Sequence, residues 1–341
     1  MRILDSNCWK EYELSELFFI EKGRGINQKD LKEGKTPYVS AANNNNGIVF
    51  YSSDIPNHAG NSITVSDFGQ AYYQKHDFSG THIVVLKPKF DMTKEIGLFI
   101  STCITKSVNS KYSFGYAVSA SRFIREKILL PTKDGMPDYT YMNDYISNLF
   151  HIKKEEAKSF IKKEMNKVTY KDITPIDNIK WKEFDIESIF EILPGKRLEK
   201  RNMIFGKTPF IGASDSNNGI TNFIGNINKT LDKNVLGVNY NGSVVENFYH
   251  KYSCIFSDDV KRFHLKYYQD NEYILLFFKT IILKQKNKYR YGYKFNESRM
   301  KRQKISVPIN CKLEPDYEYM EQYLKNIMYV QYKNCFDFLN K

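Results

Sequence analysis

The chain has 341 residues, more than one ordinary domain holds and enough for two. Its 41% hydrophobic and 26% charged residues, with a mean hydropathy of −0.53 and no long apolar run, are the balance of a soluble globular protein and argue against a membrane span. Fifty-one Lys and Arg against 39 Asp and Glu leave a net charge of +12, which suits a polyanionic partner through counterion release, although lysine-rich composition also follows AT-rich coding.

The first residues carry no apolar core followed by a small-residue cleavage site, so no export signal is expected. Trp9, Tyr12, Leu14 and Leu17-Phe18-Phe19-Ile20 then form a short amphipathic stretch before Lys22-Gly23-Arg24-Gly25. Runs rich in Val, Ile, Tyr and Phe follow, broken by Asn, Gly, Asp and Pro. Ile48-Val49-Phe50-Tyr51, Ser62-Ile63-Thr64-Val65 and His82-Ile83-Val84-Val85-Leu86 read as strands, and Asn46-Gly47 as a hairpin turn. A helix is predicted from Lys94 to Thr105. Pro137-Asp138 then opens a polar stretch with apolar residues at Met142, Ile146, Leu149, Ile152, Ala157, Phe160-Ile161 and Met165. That spacing is helical, and Asp138 suits its N-cap.

From Trp181 the same order begins again. Trp9-Lys10-Glu11-Tyr12 recurs as Trp181-Lys182-Glu183-Phe184, an offset of 172. Phe18 and Gly23 match Phe190 and Gly195, Gly34-Lys35-Thr36-Pro37-Tyr38 matches Gly206-Lys207-Thr208-Pro209-Phe210, and Asn46-Gly47-Ile48 matches Asn218-Gly219-Ile220, all at that offset. Gly69 pairs with Gly242. Gly115-Tyr116 and Arg122 match Gly292-Tyr293 and Arg299 at an offset of 177. Pro137-Asp138-Tyr139 and Tyr141-Met142 match Pro315-Asp316-Tyr317 and Tyr319-Met320 at 178. The drift means small insertions in the second copy, placed between matched blocks where loops accept them. So many ordered matches mean a duplicated domain, with copies over about 1–168 and 174–341. A second helix is expected from Glu272 to Leu283. Each copy ends in a long helix with one apolar stripe, which needs a partner. The natural partner is the matching helix of the other copy; the alternative is its own domain.

Catalytic motifs are missing from the letters. The six histidines give no HExxH, and the five cysteines no CxxC, so no metal site and no disulfide framework are expected, and a reducing cytoplasm fits. His250 and Cys254 stand four apart without further ligands nearby. Gly23-Arg24-Gly25 lacks the third glycine of a dinucleotide fingerprint. Gly34-Lys35-Thr36 and Gly206-Lys207-Thr208 lack a Walker glycine and read as turns entering a strand. No cofactor is expected. The repeated letters are Trp, Phe, Gly, Pro and Tyr, which are structural types, whereas Asp67-Phe68-Gly69-Gln70 stands where the second copy has Tyr240-Asn241-Gly242-Ser243. One scaffold with two loop sets suggests recognition of two different things.

These blocks resemble the specificity (S) subunits of type I restriction-modification systems, including those of BcgI-like type IIB enzymes. The likeness covers nearly the whole chain and rests on three kinds of block. The opening Trp…Phe…Gly block spans 9–23 and 181–195, and the Thr-Pro-aromatic block spans 36–40 and 208–212. The closing block runs from Arg122 to Leu130-Pro131 and from Arg299 to Val307-Pro308. The Pro-Asp-Tyr-x-Tyr-Met opening of each long helix resembles the BcgI-like subgroup in particular.

The resemblance implies an α+β fold of two tandem target recognition domains, 1–137 and 174–314. Each is followed by a spacer helix, 138–168 and 315–341, and the two helices pack antiparallel. It implies a subunit that is not an enzyme, that binds double-stranded DNA, and that docks methylation subunits and in some systems a restriction subunit, with no membrane involved. A protein-interaction module resembling such a subunit, and a stand-alone DNA-acting enzyme with unrecognised motifs, stay open as alternatives. Candidate DNA contacts in the first copy are Lys22, Arg24, Asn43, Asn44, Asn45, Asn46, Gln70 and Lys111. In the second they are Lys196, Arg197, Arg201, Asn217, Asn241, Lys288 and Arg290. Lys and Arg suit phosphate or guanine, and Asn and Gln suit adenine. Arg122 and Arg299 are repeated and so are expected to position the backbone. Met142, Ile146, Leu149, Met320, Leu324 and Ile327 are the expected core of the helix pair.

Overall fold

The first and last strands of each copy are hydrogen-bonded to one another. In the computed structural model, which describes residues 8–26, 28–108, 111–113, 115–290 and 292–341, the strand Trp9–Glu13 runs antiparallel to Lys127–Lys133 with Trp9 opposite Pro131. Trp181–Asp185 pairs in the same way with Lys304–Pro308, Trp181 opposite Pro308. The opening and closing blocks of the repeat therefore meet in one ladder, and each long helix starts where that ladder ends.

The chain divides into two units between Ala157 and Lys158. In the first, a four-stranded antiparallel sheet has the order Phe18–Lys22, Ile83–Pro88, Ser62–Ser66, Ala71–Gln74. A three-stranded sheet places Glu33–Val39 between Ile48–Ser52, antiparallel, and Ser79–Gly80, parallel. The second unit repeats both sheets in the same order: Phe190–Pro194, Val260–Leu265, Val235–Asn239, Asn247–His250, and then Ile220–Ile224, Phe205–Ile211, Ile255–Phe256. The duplication seen in the letters is thus a duplication of topology. Gly34-Lys35-Thr36 and Gly206-Lys207-Thr208, expected as turns entering a strand, lie within the strands themselves, at a register shift in each.

The helices Lys94–Val108 and Glu272–Leu283 bury one face each. Ile96, Ile100 and Ile104 join Leu14, Phe18, Ile63, Leu86 and Phe123 in the first core, and Ile274, Phe278 and Ile282 join Phe190, Leu236 and Phe263 in the second. Each opening tryptophan stacks on one of these helices, Trp9 on Phe99 and Trp181 on Phe277. Gly23 and Gly195 are matched for a steric reason. A Cβ on Gly23 would come within 2.5 Å of Ile83, and one on Gly195 within 1.9 Å of the Ser257 carbonyl.

The long helices are Tyr139–Met165 and Tyr317–Asn340, 27 and 24 residues, roughly 40 and 36 Å long. Asp138 and Asp316 cap them, accepting the N–H groups of Tyr141 at 2.9 Å and Tyr319 at 3.0 Å. The start of each packs on its own body. Met142 is fully buried in the first core, with Ile146 against it, and Met320 is fully buried in the second, with Leu324 against it. Met142 and Met320 are thus taken up by their own bodies, while Ile146 and Leu324 stay half-buried at the edge of those cores. Leu149 lines an apolar groove with Trp9, Phe99 and Tyr145, and Ile327 is 40% exposed.

Within the second unit the connecting segment is laid along Tyr317–Asn340. Asn326 accepts the Lys171 N–H at 3.0 Å and donates to the Lys171 carbonyl at 2.6 Å. Gln322 donates to the Thr169 carbonyl, Tyr319 to the Thr174 carbonyl, and Tyr170 packs on Tyr329.

Candidate nucleic-acid interface

The basic residues singled out from the sequence sit on loops that leave the sheets. Lys22 ends the first strand of the four-stranded sheet, and Arg24 follows two residues later, both exposed. The Arg24 backbone is held on two sides: its N–H donates to His58 Nε2 at 2.9 Å, and its carbonyl accepts from Gly80 at 3.0 Å. In the second copy Lys196 and Arg197 occupy the corresponding loop, exposed, with the Lys196 N–H on the Phe256 carbonyl at 2.9 Å. Arg201 is 80% exposed by side chain and pairs with Glu199 at 2.7 Å.

The asparagines divide by role. Asn43 and Asn44 are exposed ahead of the first turn. Asn45 and Asn46 have φ of 46° and 55°, a conformation that asparagine tolerates better than most residues. The Asn45 amide donates to the Ile48 carbonyl at 3.0 Å and closes the turn, and the Asn46 amide donates to the Tyr73 carbonyl at 2.9 Å and ties the turn to the strand Ala71–Gln74. Asn217 and Asn218 repeat this geometry with φ of 49° and 54°. Asn241 donates to Asp259 at 2.9 Å. Gln70 is half-buried at the turn after Ser62–Ser66. Lys111 pairs with Glu126 at 2.8 Å, while Lys288 and Arg290 are exposed.

Two partly buried clusters of titratable side chains lie beneath these loops, and no motif announced them. In the first copy His58 Nδ1 bonds Glu21 at 2.9 Å, and Lys87 pairs with the same carboxylate at 2.8 Å. Burial pulls the His58 pKa below its usual value, against the opposing pull of Glu21. In the second copy His264 sits between Asp232, at 3.0 Å, and Asp270, at 2.7 Å, with Arg262 on Asp232 at 2.7 Å. Bonds to Asp232 and then Asp270 push the His264 pKa up to about 9. Burial works to raise the Asp232 pKa, but its bonds to His264 and Arg262 outweigh that and lower it. Arg262 also donates to the Pro194 carbonyl at 3.1 Å, just before Gly195 and Lys196. Each cluster therefore anchors the root of a basic loop, with different residues in the two copies.

A body present twice is what the comparisons with known proteins find in sequence as well. The family model for the type I restriction modification DNA specificity domain matches the chain twice, over residues 7–170 and 178–334. The chain belongs to that family. Each matched span of the type I specificity family takes in one body and most or all of the long helix after it. The chain is 42% identical over 327 residues to the type II restriction enzyme specificity subunit S.BcgI of Heyndrickxia coagulans, covering 93% of each chain. It is similar in fold to the crystal structure of the type I restriction-modification S subunit from M. genitalium, with a TM-score of 0.62 at 15% identity, covering 99% of this chain and 95% of that one.

Proposed function

We propose that the chain is the DNA-specificity subunit of a restriction-modification complex, reading a bipartite target with one half-site per copy. The observation that carries this reading is one topology built twice with different loops. Residues 67–70 of the first copy stand where 240–243 stand in the second, beside the same strands. A common frame supplies a common approach to the duplex, and divergent loops supply two readouts. The net charge of +12 supplies phosphate affinity.

In this reading the chain performs no chemistry of its own. Methylation subunits, and in some systems a restriction subunit, dock on the long helices. Those helices leave Phe150, Ile152 and Phe160 exposed on the first and Ile327, Val330 and Phe338 on the second, apolar area that pairing or a partner would cover. The two helices set the gap between half-sites, and the complex works in the cytoplasm. No helix among the described residues is long and apolar enough to cross a membrane.

The test is genetic and then biochemical. Deleting the gene should abolish methylation at one bipartite motif in the genome, and co-expression with the methylation subunit should yield a stable complex. Exchanging residues 67–70 should alter one half of that motif and leave the other intact. Unchanged methylation on deletion, or a swap that alters both halves, contradicts the reading.

A further inference from the structure

Two 21-residue stretches, 107–127 and 284–304, occupy the same place in the two copies. The first holds four Lys or Arg against one Glu, the second nine against one, charges of +3 and +8. Together they account for eleven of the twelve net positive charges of the chain. They are also where letters repeat outside the strands. Lys111-Tyr112, Gly115-Tyr116 and Ser121-Arg122 return as Lys288-Tyr289, Gly292-Tyr293 and Ser298-Arg299.

The build repeats with the letters. Ser113 and Tyr116 exchange backbone bonds of 3.1 and 2.9 Å, and Arg290 and Tyr293 exchange bonds of 3.2 and 2.8 Å, so each forms a tight turn. Tyr112 stacks on Tyr116 and Tyr289 on Tyr293, both at 5.8 Å and 10°. Arg122 lies 4.4 Å over Tyr116 and donates to the Ala117 carbonyl at 3.0 Å; Arg299 lies 3.8 Å over Tyr293 and donates to the Lys294 carbonyl at 2.7 Å. Each turn is thus held by a ring stack closed with a guanidinium, a rigid arrangement that keeps the arginine charge.

The inner tyrosines serve the fold. The outer ones do not need to: Tyr116 and Tyr293 are half exposed, and among the described residues no atom beyond the chain neighbours lies within 4 Å of where a Cβ on Gly115 or Gly292 would stand. Each turn also adjoins the variable loop of its own copy. The Val118 N–H bonds the Asp67 carbonyl, and Gly69 lies against Val108 and Tyr112. In the second copy Lys286 pairs with Glu246, and Lys261, which lies over Tyr240, pairs with Glu297.

An element kept the same beside loops that differ suits a ligand that is the same at both half-sites. In a duplex target that constant part is the sugar-phosphate backbone. We propose that the two tyrosine-arginine turns are a matched pair of sequence-independent phosphate contacts, which seat each copy on the backbone and bring its variable loop to the base edges. This rests on the DNA-reading function above.

The test uses the full chain in complex with its methylation subunit. Two duplexes are compared, one carrying the motif mapped from the genome and one scrambled, each titrated with salt. Lys288→Ala combined with Arg290→Ala removes two exposed charges without touching the ring stack. Binding to both duplexes should weaken by a similar factor, about tenfold at moderate salt. The slope of log affinity against log salt should become shallower by nearly 2, since each phosphate that is no longer neutralised takes away about 0.9. The motif that is methylated should stay the same. An unchanged slope overturns the proposal, as does a loss confined to the specific duplex. An unchanged slope together with loss of the methylation subunit from the complex would make the turn a protein-docking element instead. If the wild-type complex itself fails to bind either duplex, the function reading fails, and that is visible before any variant is made.

Discussion

Arg24 gives its backbone N–H to Nε2 of His58 at 2.9 Å, and this bond fixes the protonation of the imidazole. An Nε2 that accepts leaves the proton on Nδ1, which faces Glu21 at 2.9 Å, so His58 is neutral in the folded chain. Its lowered pKa agrees. The unfolded chain takes up the proton at about 6.5 and the folded chain only below that. Stability is therefore complete above about pH 6.5 and falls as the pH drops from there through the folded value. Urea unfolding from pH 7.5 down to 5 should show this loss, and His58→Phe should make it shallower. An unaltered pH slope in the variant would refute the neutral assignment. His250, buried and lowered to about 4, adds a loss of the same sign that the variant leaves in place.

His264 predicts the opposite sign. Its pKa is raised to about 9 by Asp232 and then Asp270, so its contribution is complete below about pH 6.5 and disappears as the pH rises to 9. The second copy should unfold more easily at pH 9.5 than at pH 7, by at most about 3 kcal/mol. His264→Gln should flatten that dependence while leaving the acid limb of His58 untouched, which differential scanning calorimetry across the range would separate.

Glycine substitutions should separate close backbone approach from open turns. Gly195→Ala drives a methyl to 1.9 Å from a carbonyl oxygen of the Ser257 backbone, so a loss of more than about 2 kcal/mol is expected. Gly292→Ala meets no atom of the described residues beyond its chain neighbours within 4 Å and should leave the melting temperature nearly unchanged. Equal effects would mean that the packing around Gly195 yields.

Truncations along the last helix should show where its burial lies. Met320→Ala removes a fully buried side chain from the second core and should cost about 2–5 kcal/mol in the isolated chain. Ile327→Ala removes a side chain 40% exposed, so its effect on the isolated chain should be small and should appear instead in pull-down of the methylation subunit.

The duplication, the strand-rich bodies and the helix positions were legible because they depend on local pattern. The helix expected from Glu272 to Leu283 has those bounds, and the one expected to end at Thr105 runs on to Val108. The covering of Met142 and Met320 was not legible, since an apolar stripe states that a face is buried but not against what. The His58 and His264 clusters were hidden for another reason. Their partners lie as far as 37 and 32 residues away, and one copy uses histidine where the other uses aspartate, so comparing the repeats hides the shared position. Asn45 and Asn46 were singled out because amides suit adenine; their positive φ and their bonds to the Ile48 and Tyr73 carbonyls, which depend on the fold around them, were not legible.

The paired bonds between Asn326 and Lys171 bear on how such a gene could be divided. By letters the second copy begins near residue 174, and a break there looks harmless. In space the preceding residues are already fastened to the last helix through Asn326 and Gln322. A half-length product starting at 174 would lose Thr169, Tyr170 and Lys171 and bare the face they cover, whereas one starting at Lys158 would keep its own cover. A division that keeps the cover of the last helix therefore falls before Thr169 and not at 174.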